Sequence, residues 1–245
     1  VISLVGILHE TKGNTFETVQ AKGPMLVGKI AREKNVRSLV HVSAIGADVN
    51  SKSLYASSKG LGETYIRDEF EKTVILRPSI IFGPDDNFFN RFANLAAFAP
   101  FLPLIGGGTT KFQPVYVQDV ASAIMVALED SAKVGNDYEL GGPSIYSFRE
   151  LLELLEKHTL RKRALVNIPF FLASLQAKFL EILPNPPLTR DQVQLLKTDN
   201  IVSQDALTLQ DLGISPMSCE AVLPTYLDRF RPGGRYNRSR LTTSS

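Results

Sequence analysis

Apolar residues fall into two rhythms along this chain: short unbroken runs, and longer stretches recurring every three or four positions. The runs "VISLVGIL" at the start, "SLVHVSAIG" from Ser38 and "TVILRPSIIFG" from Thr73 are rich in β-branched residues. They predict strands buried on both faces. Helical spacing separates them, from about Glu17 to Lys34 and from Tyr55 to Phe70, with Pro24 starting or kinking the first helix. "NFFNRFANLAAFA" predicts another helix and "FQPVYV" a short strand, after which Asp119 is the expected N-cap of a helix reaching Glu129. Strands alternating with helices in this way build a parallel sheet covered on its faces.

From Tyr138 the texture changes. "YELGGPSIYS" reads as strand and turn, and Ser147 with Glu150 forms a capping box for the amphipathic helix "SFRELLELLEKH". A helix from about Thr189 and a last one through "CEAVLPTYLDRF" follow the turn "PNPP". The expected organisation is a sheet domain over residues 1–140, a smaller, mainly helical lobe over 141–231 and a flexible basic tail over 232–245. Such a lobe would wall a cleft at the carboxyl edge of the sheet, where doubly wound folds bind ligands. Gly106-Gly107-Gly108 leads into a strand rather than a helix, so it predicts a turn and not a phosphate loop. The opening run lacks an initiator Met and a charged n-region, and is expected to enter a domain whose first strands lie upstream.

Composition narrows the classes. The net charge of +2 over 245 residues gives no electrostatic case for nucleic acid. A single cysteine, Cys219, allows no internal disulfide, and His9, His41 and His158 have no metal-ligand spacing. His41, inside a buried strand, reads as a hydrogen-bonded core residue, and Asp85 and Asp86 as turn and cap residues after Gly83-Pro84. The segment "RKRALVNIPFFLASLQAKFLEIL" is too short and too interrupted to span a bilayer. Its basic start and aromatic-apolar body suit either a lobe helix packed into the cleft wall, the favoured reading, or a helix lying in a membrane interface. The arginines of "DRFRPGGRYNRSR", among them Arg235, Arg238 and Arg240, offer anionic partners a second surface.

Candidate chemistry centres on "LYASSKGLGE". Tyr55 and Lys59 stand four apart, one turn above the other on one helix face. An ammonium beside a phenol is expected to lower its pKa from the usual value near 10, and can also donate to ribose hydroxyls. Ser43, at the end of the preceding strand, could donate to a carbonyl beside the phenol. Alone, a Tyr-x-x-x-Lys spacing more often marks an ordinary helix surface. Here it opens a helix between two buried strands.

In this order, "LVGIL", "HVSAIGA", "YASSK", "LRPSIIFGPDD" and "FQPVYVQDVASAI" resemble the extended or atypical short-chain dehydrogenases/reductases, relatives of the NAD-dependent epimerases and dehydratases. "FGPDDNFFNRFA" and "NPPLTRDQVQLLKTDN" bring the chain nearer the NADPH-binding accessory-subunit branch of respiratory complex I and its bacterial relatives. The resemblance implies a Rossmann-type doubly wound α/β fold, truncated at its N-terminal side. It implies Ser43, Tyr55 and Lys59 as the catalytic-type triad, with Gly6, Pro78 and Ser79 joining Tyr55 and Lys59 around the cofactor, NADPH or NAD. Ile80 stands where many sugar-nucleotide members carry asparagine, which weakens a nucleotide-sugar substrate.

Two functions stay open on these grounds. One is an accessory protein whose NADP(H) is structural, with respiratory complex I or a membrane surface as partner of the basic lobe. The other is an active NAD(P)-dependent oxidoreductase or epimerase using the triad. The expected compartment is bacterial cytoplasm with inner-membrane association, or the matrix face of the mitochondrial inner membrane in a eukaryote.

Overall fold

The computed structural model describes residues 1–130 and 133–234, so the tail arginines from Arg235 onward lie outside the described residues. Four parallel strands, β1 (Ile2–Ser3), β2 (Val40–Val42), β3 (Val74–Pro78) and, later in the chain, Asp137–Leu140, form the central sheet in that order. In register, Ser3 faces His41, Val42 faces Leu76, and Pro78 faces Leu140. Helix α1 (Gly23–Glu33) and helix α2 (Leu54–Glu69) pack together on one face, burying Ala31, Leu39 and Ile66. On the other face Val40, Val74 and Leu76 meet Val120, Ala123 and Ala127 of the helix Val117–Glu129. Helices on both faces of a parallel sheet make the doubly wound arrangement.

The first strand is far shorter than its apolar run. Only Ile2 and Ser3 pair, while Ile2, Leu4, Val5 and Leu8 are exposed. Among the described residues the run has a partner strand on one side only, β2. The helix expected from Glu17 begins as a π-helical stretch, Glu17–Lys22, and Pro24 sits at the start of the regular α1. The helical backbone runs unbroken through this junction, and the missing proline N–H falls where the hydrogen-bond pattern changes from the π to the α repeat. Gly62 of α2 lies so close to that stretch that a Cβ would come within 2.1 Å of the Gln20 carbonyl oxygen.

After β3 come β4 (Ile81–Phe82), α3 (Phe89–Phe98), β5 (Phe101–Ile105), β6 (Lys111–Phe112), β7 (Val115–Tyr116) and α4 (Val117–Glu129). The central sheet's β8 (Asp137–Leu140) leads to β9 (Tyr146–Ser147), α5 (Phe148–Thr159), β10 (Ala164–Ile168), α6 (Phe170–Leu180) and α7 (Arg190–Leu195). The expected single strand "FQPVYV" divides at Pro114. β6 pairs antiparallel with β9, and β7 pairs parallel with β4. The expected cap is also different: Tyr116 is the N-cap of α4 without a side-chain bond. Asp119 lies inside the first turn, buried, and accepts the Met217 N–H at 2.8 Å.

"ALVNI" is a strand, not the beginning of a long helix. β10 runs parallel to β5, pairing Ala164 with Phe101 and Ile168 with Ile105. The left-handed glycines Gly106, Gly107 and Gly108 turn the chain out of β5 as expected. Their neighbourhood admits no side chain at Gly106, whose Cβ would meet the Phe170 ring at 2.2 Å. A second core joins α3 and β5 to α5 and to the short helices α8 (Cys219–Val222) and α9 (Pro224–Leu227). The last helix predicted from sequence is broken before Pro224 into these two pieces. Asp86 behaves as a cap, accepting the Phe88 and Asn90 N–H groups at 2.9 and 3.2 Å, and it also accepts the Tyr226 hydroxyl at 2.6 Å.

The close seat of Gly62 gives a direct test. Gly62→Ala must push α2 from the π-helical stretch and is expected to cost ~1–3 kcal/mol or more, as for an overpacked core. Gly13→Ala, whose added Cβ meets nothing within 4 Å, serves as the neutral comparison in urea unfolding.

Candidate functional site

The sequence candidates collect where the parallel strands end. Gly6 follows β1, Ser43 follows β2, Pro78 ends β3 and Ser79 comes next. Tyr55 and Lys59 lie in the first half of α2, whose entry is fixed by Ser53: its hydroxyl accepts the Ala56 N–H at 3.2 Å. The first two helical N–H groups, which no turn of helix can satisfy, are accepted by a distant carboxylate. Asp191 takes Leu54 N–H at 2.7 Å, Tyr55 N–H at 3.1 Å and the Ser53 hydroxyl at 2.8 Å.

Lys59 is 4 % exposed and carries its ammonium to the sheet edge. Nζ donates to the Val5 carbonyl at 3.3 Å and the Val42 carbonyl at 3.2 Å, the carbonyls just beyond β1 and at the end of β2. Burial pushes its pKa down to about 8, an effect that the Glu63 carboxylate one turn on partly opposes. Gly6 is pressed against this ammonium: a Cβ there would stand 3.3 Å from Nζ and 3.4 Å from Gln20 Oε1. His41 is fully buried, with Nδ1 3.1 Å from the Ser3 hydroxyl. Burial and then the Lys59 charge hold its pKa down to about 3, so it is a neutral core residue, as its strand position suggested.

Tyr55 departs from the expectation. Burial pushes its phenol up to about 12, and the lysine does not offset that rise. Its ring meets Phe16 edge-on, with centroids 6.2 Å apart. Ser43 is 4 % exposed, and its hydroxyl has no hydrogen-bond partner among the described residues. Its N–H extends the ladder to Leu76 at 2.7 Å. Ser79 turns its hydroxyl to Asn200, 2.7 Å from Oδ1, and accepts the Gln113 N–H at 3.2 Å.

Several residues of the site are invisible to sequence reasoning. Gln20, fully buried, accepts Ile7 N–H at 2.9 Å and donates to Ser58 at 2.8 Å, tying the loop after β1 to α2. A polar residue on the buried stripe of a helix is the one local sign of it. Asp191 and Asn200 leave no local sign, because their partners lie more than a hundred residues away. Behind the site Arg77 holds Glu63 in a two-pronged pair, at 2.9 and 2.6 Å, and reaches Asp137 at 2.9 Å. This pins the third turn of α2 to β3 and β8.

A dinucleotide fits these residues on their own chemistry. An ammonium has three N–H donors, of which Lys59 commits two, both in long bonds. The glycine beside it admits a close approach, and the Ser43 hydroxyl is buried with its bonding capacity unused. The parallel sheet with helices on both faces is a Rossmann-type fold. The description "NAD dependent epimerase/dehydratase family" matches residues 9–141, and the chain belongs to that family.

The chain is 35% identical over 96% of its length to "NADH dehydrogenase [ubiquinone] 1 alpha subcomplex subunit 9, mitochondrial" of Arabidopsis thaliana, and 34% identical over 94% to the Mus musculus protein of that name. It spans 61% and 62% of the length of those two relatives. Among solved structures it resembles "MoeE5 in complex with UDP-glucose and NAD", at a TM-score of 0.69 and 14% identity, over 92% of this chain and 77% of that one. At such identity the likeness shows the fold.

The buried ammonium makes stability depend on pH in a definite direction. Unfolded, Lys59 titrates near 10.5; folded, near 8. In that window the unfolded chain binds the extra proton, so the contribution of Lys59 is present above the upper value and is lost as pH falls to the lower one. The urea midpoint is expected to rise from about pH 8 to about pH 10 relative to Lys59→Met, which lacks the titrating group.

Proposed function

We propose that the protein is a nucleotide-binding accessory component of a respiratory-chain assembly, holding NADPH, or NAD in its place, as a structural ligand. The observation that carries this reading is the division of labour between Lys59 and Tyr55. The ammonium stands at the sheet edge with a donor left for a ribose hydroxyl. The phenol, pushed up to about 12, is a poor proton exchanger near neutrality. When bound, the nucleotide would supply contacts that only the native state offers, adding about 2.7 kcal/mol at a hundredfold excess over Kd. Ser43, Gly6 and the strand end at Pro78 and Ser79 would line the nicotinamide side. The names of the plant and mouse relatives support complex I as the partner. They also support a mitochondrial compartment in a eukaryote; the matrix face of the inner membrane there, and the cytoplasmic face in a bacterium, belong to the proposal.

The lobe supplies the surface for docking. Phe171 is 70% exposed, Phe179 65% and Ile182 82%, with Leu172, Leu175 and Leu183 also open on or just after α6. Within the same segment Ala173 and Ala177 are buried, with Ile168 and Phe170 packed against them, so one side of it faces the lobe core and the other stays open. Arg161, Lys162 and Arg163 precede β10. A basic start and an aromatic-apolar helix suit the headgroup region of an anionic membrane. Among the described residues no helix is long and apolar enough to cross one.

A second reading, an active NAD(P)-dependent oxidoreductase, is favoured by the unused Ser43 hydroxyl at the edge that also carries Tyr55 and Lys59. One series separates the two. With the intact protein, NADPH is expected to raise the melting temperature, Lys59→Ala to remove most of that rise, and Tyr55→Phe to leave it unchanged. A melting temperature flat across the titration would count against nucleotide binding altogether, and Tyr55-dependent turnover would establish the enzyme instead. For the surface, Phe171→Asp with Phe179→Asp is expected to weaken sedimentation with anionic vesicles about tenfold or more per side chain, from ~1.5–3 kcal/mol for each buried phenylalanine. Unchanged sedimentation removes the membrane from the proposal.

A further inference from the structure

Residues 189–202 cross from the lobe to the ends of β2 and β3, touching the nucleotide edge at two places. Asp191 closes the N-terminus of the Tyr55–Lys59 helix through three bonds. Asn200 spans two strand ends: Nδ2 donates to the Ile45 carbonyl at 3.0 Å, and Oδ1 accepts the Ser79 hydroxyl at 2.7 Å. Its main chain is held as well, the N–H by the Lys111 carbonyl at 2.8 Å and the carbonyl by the Gln113 N–H at 3.2 Å. Further along, Val202 N–H donates to Gln113 Oε1 at 3.0 Å. At the lobe end, Arg190 holds Glu181 with N–H and Nε bonds of 2.7 and 2.8 Å, just past α6. Val193 packs with Ala173 and Ala177 of α6.

We propose that Asp191 and Asn200 are positioning residues for the nucleotide, and that through them nucleotide binding and the placement of α6 are linked. The proposal rests on the nucleotide reading above and adds the route by which the lobe shares in it. Two physical facts carry it. The first turn of α2 has two N–H groups that its own cap leaves unanswered, and the carboxylate answering them belongs to α7. Tyr55 and Lys59 can hold their places at the edge only while that turn is formed, so displacing α7 costs the nucleotide its binding surface. Linkage is reciprocal: a nucleotide that binds the strapped form better than the released one must also hold the strap, and with it α6, in place.

The test uses the intact protein, with NADPH fluorescence for affinity and amide hydrogen exchange for the strap. Wild-type protein is expected to bind NADPH and gain protection over residues 170–200. Asp191→Ala should weaken NADPH about tenfold, a ~1.4 kcal/mol change, and abolish the NADPH-induced protection of α6. Asp191→Glu, which keeps both acceptor oxygens, should recover more of the affinity than Asp191→Asn, whose amide N–H would face an α2 N–H. Asn200→Ser, too short to reach both Ile45 and Ser79, tests the second attachment if Asp191→Ala fails to fold. Wild-type binding with no protection of the strap, or equal affinity in Asp191→Ala or Asn200→Ser, overturns the linkage while leaving nucleotide binding intact. Absence of NADPH binding by the wild type removes the nucleotide reading first, and the linkage with it.

Discussion

A buried ammonium organises this molecule. Lys59 has little contact with water and no bidentate carboxylate, so its charge is held by the Val5 and Val42 carbonyls at the ends of two neighbouring strands. Such a charge is costly to bury and must find acceptors or release its proton. The consequence reaches in several directions. It fixes α2 over the carboxyl edge and leaves little room at position 6, where a Cβ would stand 3.3 Å from Nζ. After burial, it is the second cause that holds the pKa of the neighbouring His41 down.

An intact triad of residue types is not by itself an active site. A lysine lowers the pKa of a tyrosine only when its field reaches the phenol more strongly than burial opposes the phenolate. Here burial wins at Tyr55. A site can thus keep the donors that hold a nucleotide while its proton-transfer group is poorly tuned, which is the condition a structural ligand needs. Fold membership alone would not separate the two roles.

The lobe is more than a wall for the cleft. Its cores take in α3 and β5 from before the sheet's last strand, and its strap returns to the strand ends. The apolar side chains it leaves open are gathered on and just after α6, one helix away from the residue that caps α2. The carboxyl edge of the sheet and the outward face are therefore joined by a short path of hydrogen bonds and packed side chains.

Much of this was legible in the sequence, because it depends on neighbours in the chain. The strand–helix alternation, the capping box at Ser147 and Glu150, the glycine turn and the Tyr55–Lys59 spacing are all local patterns, and local patterns survive in a string of residues. The lengths of strands were not legible: "VISLVGIL" reads as buried, yet its burial depends on what lies beside it. The pairing of β5 with β10 was likewise hidden, since a proline and a short apolar run resemble a loop or a helix start until a partner strand supplies the bonds. Asp191, Asn200 and the raised pKa of Tyr55 belong wholly to tertiary structure. A carboxylate becomes a helix cap, and a phenol loses its water, only when chain segments far apart in sequence are brought within hydrogen-bond distance.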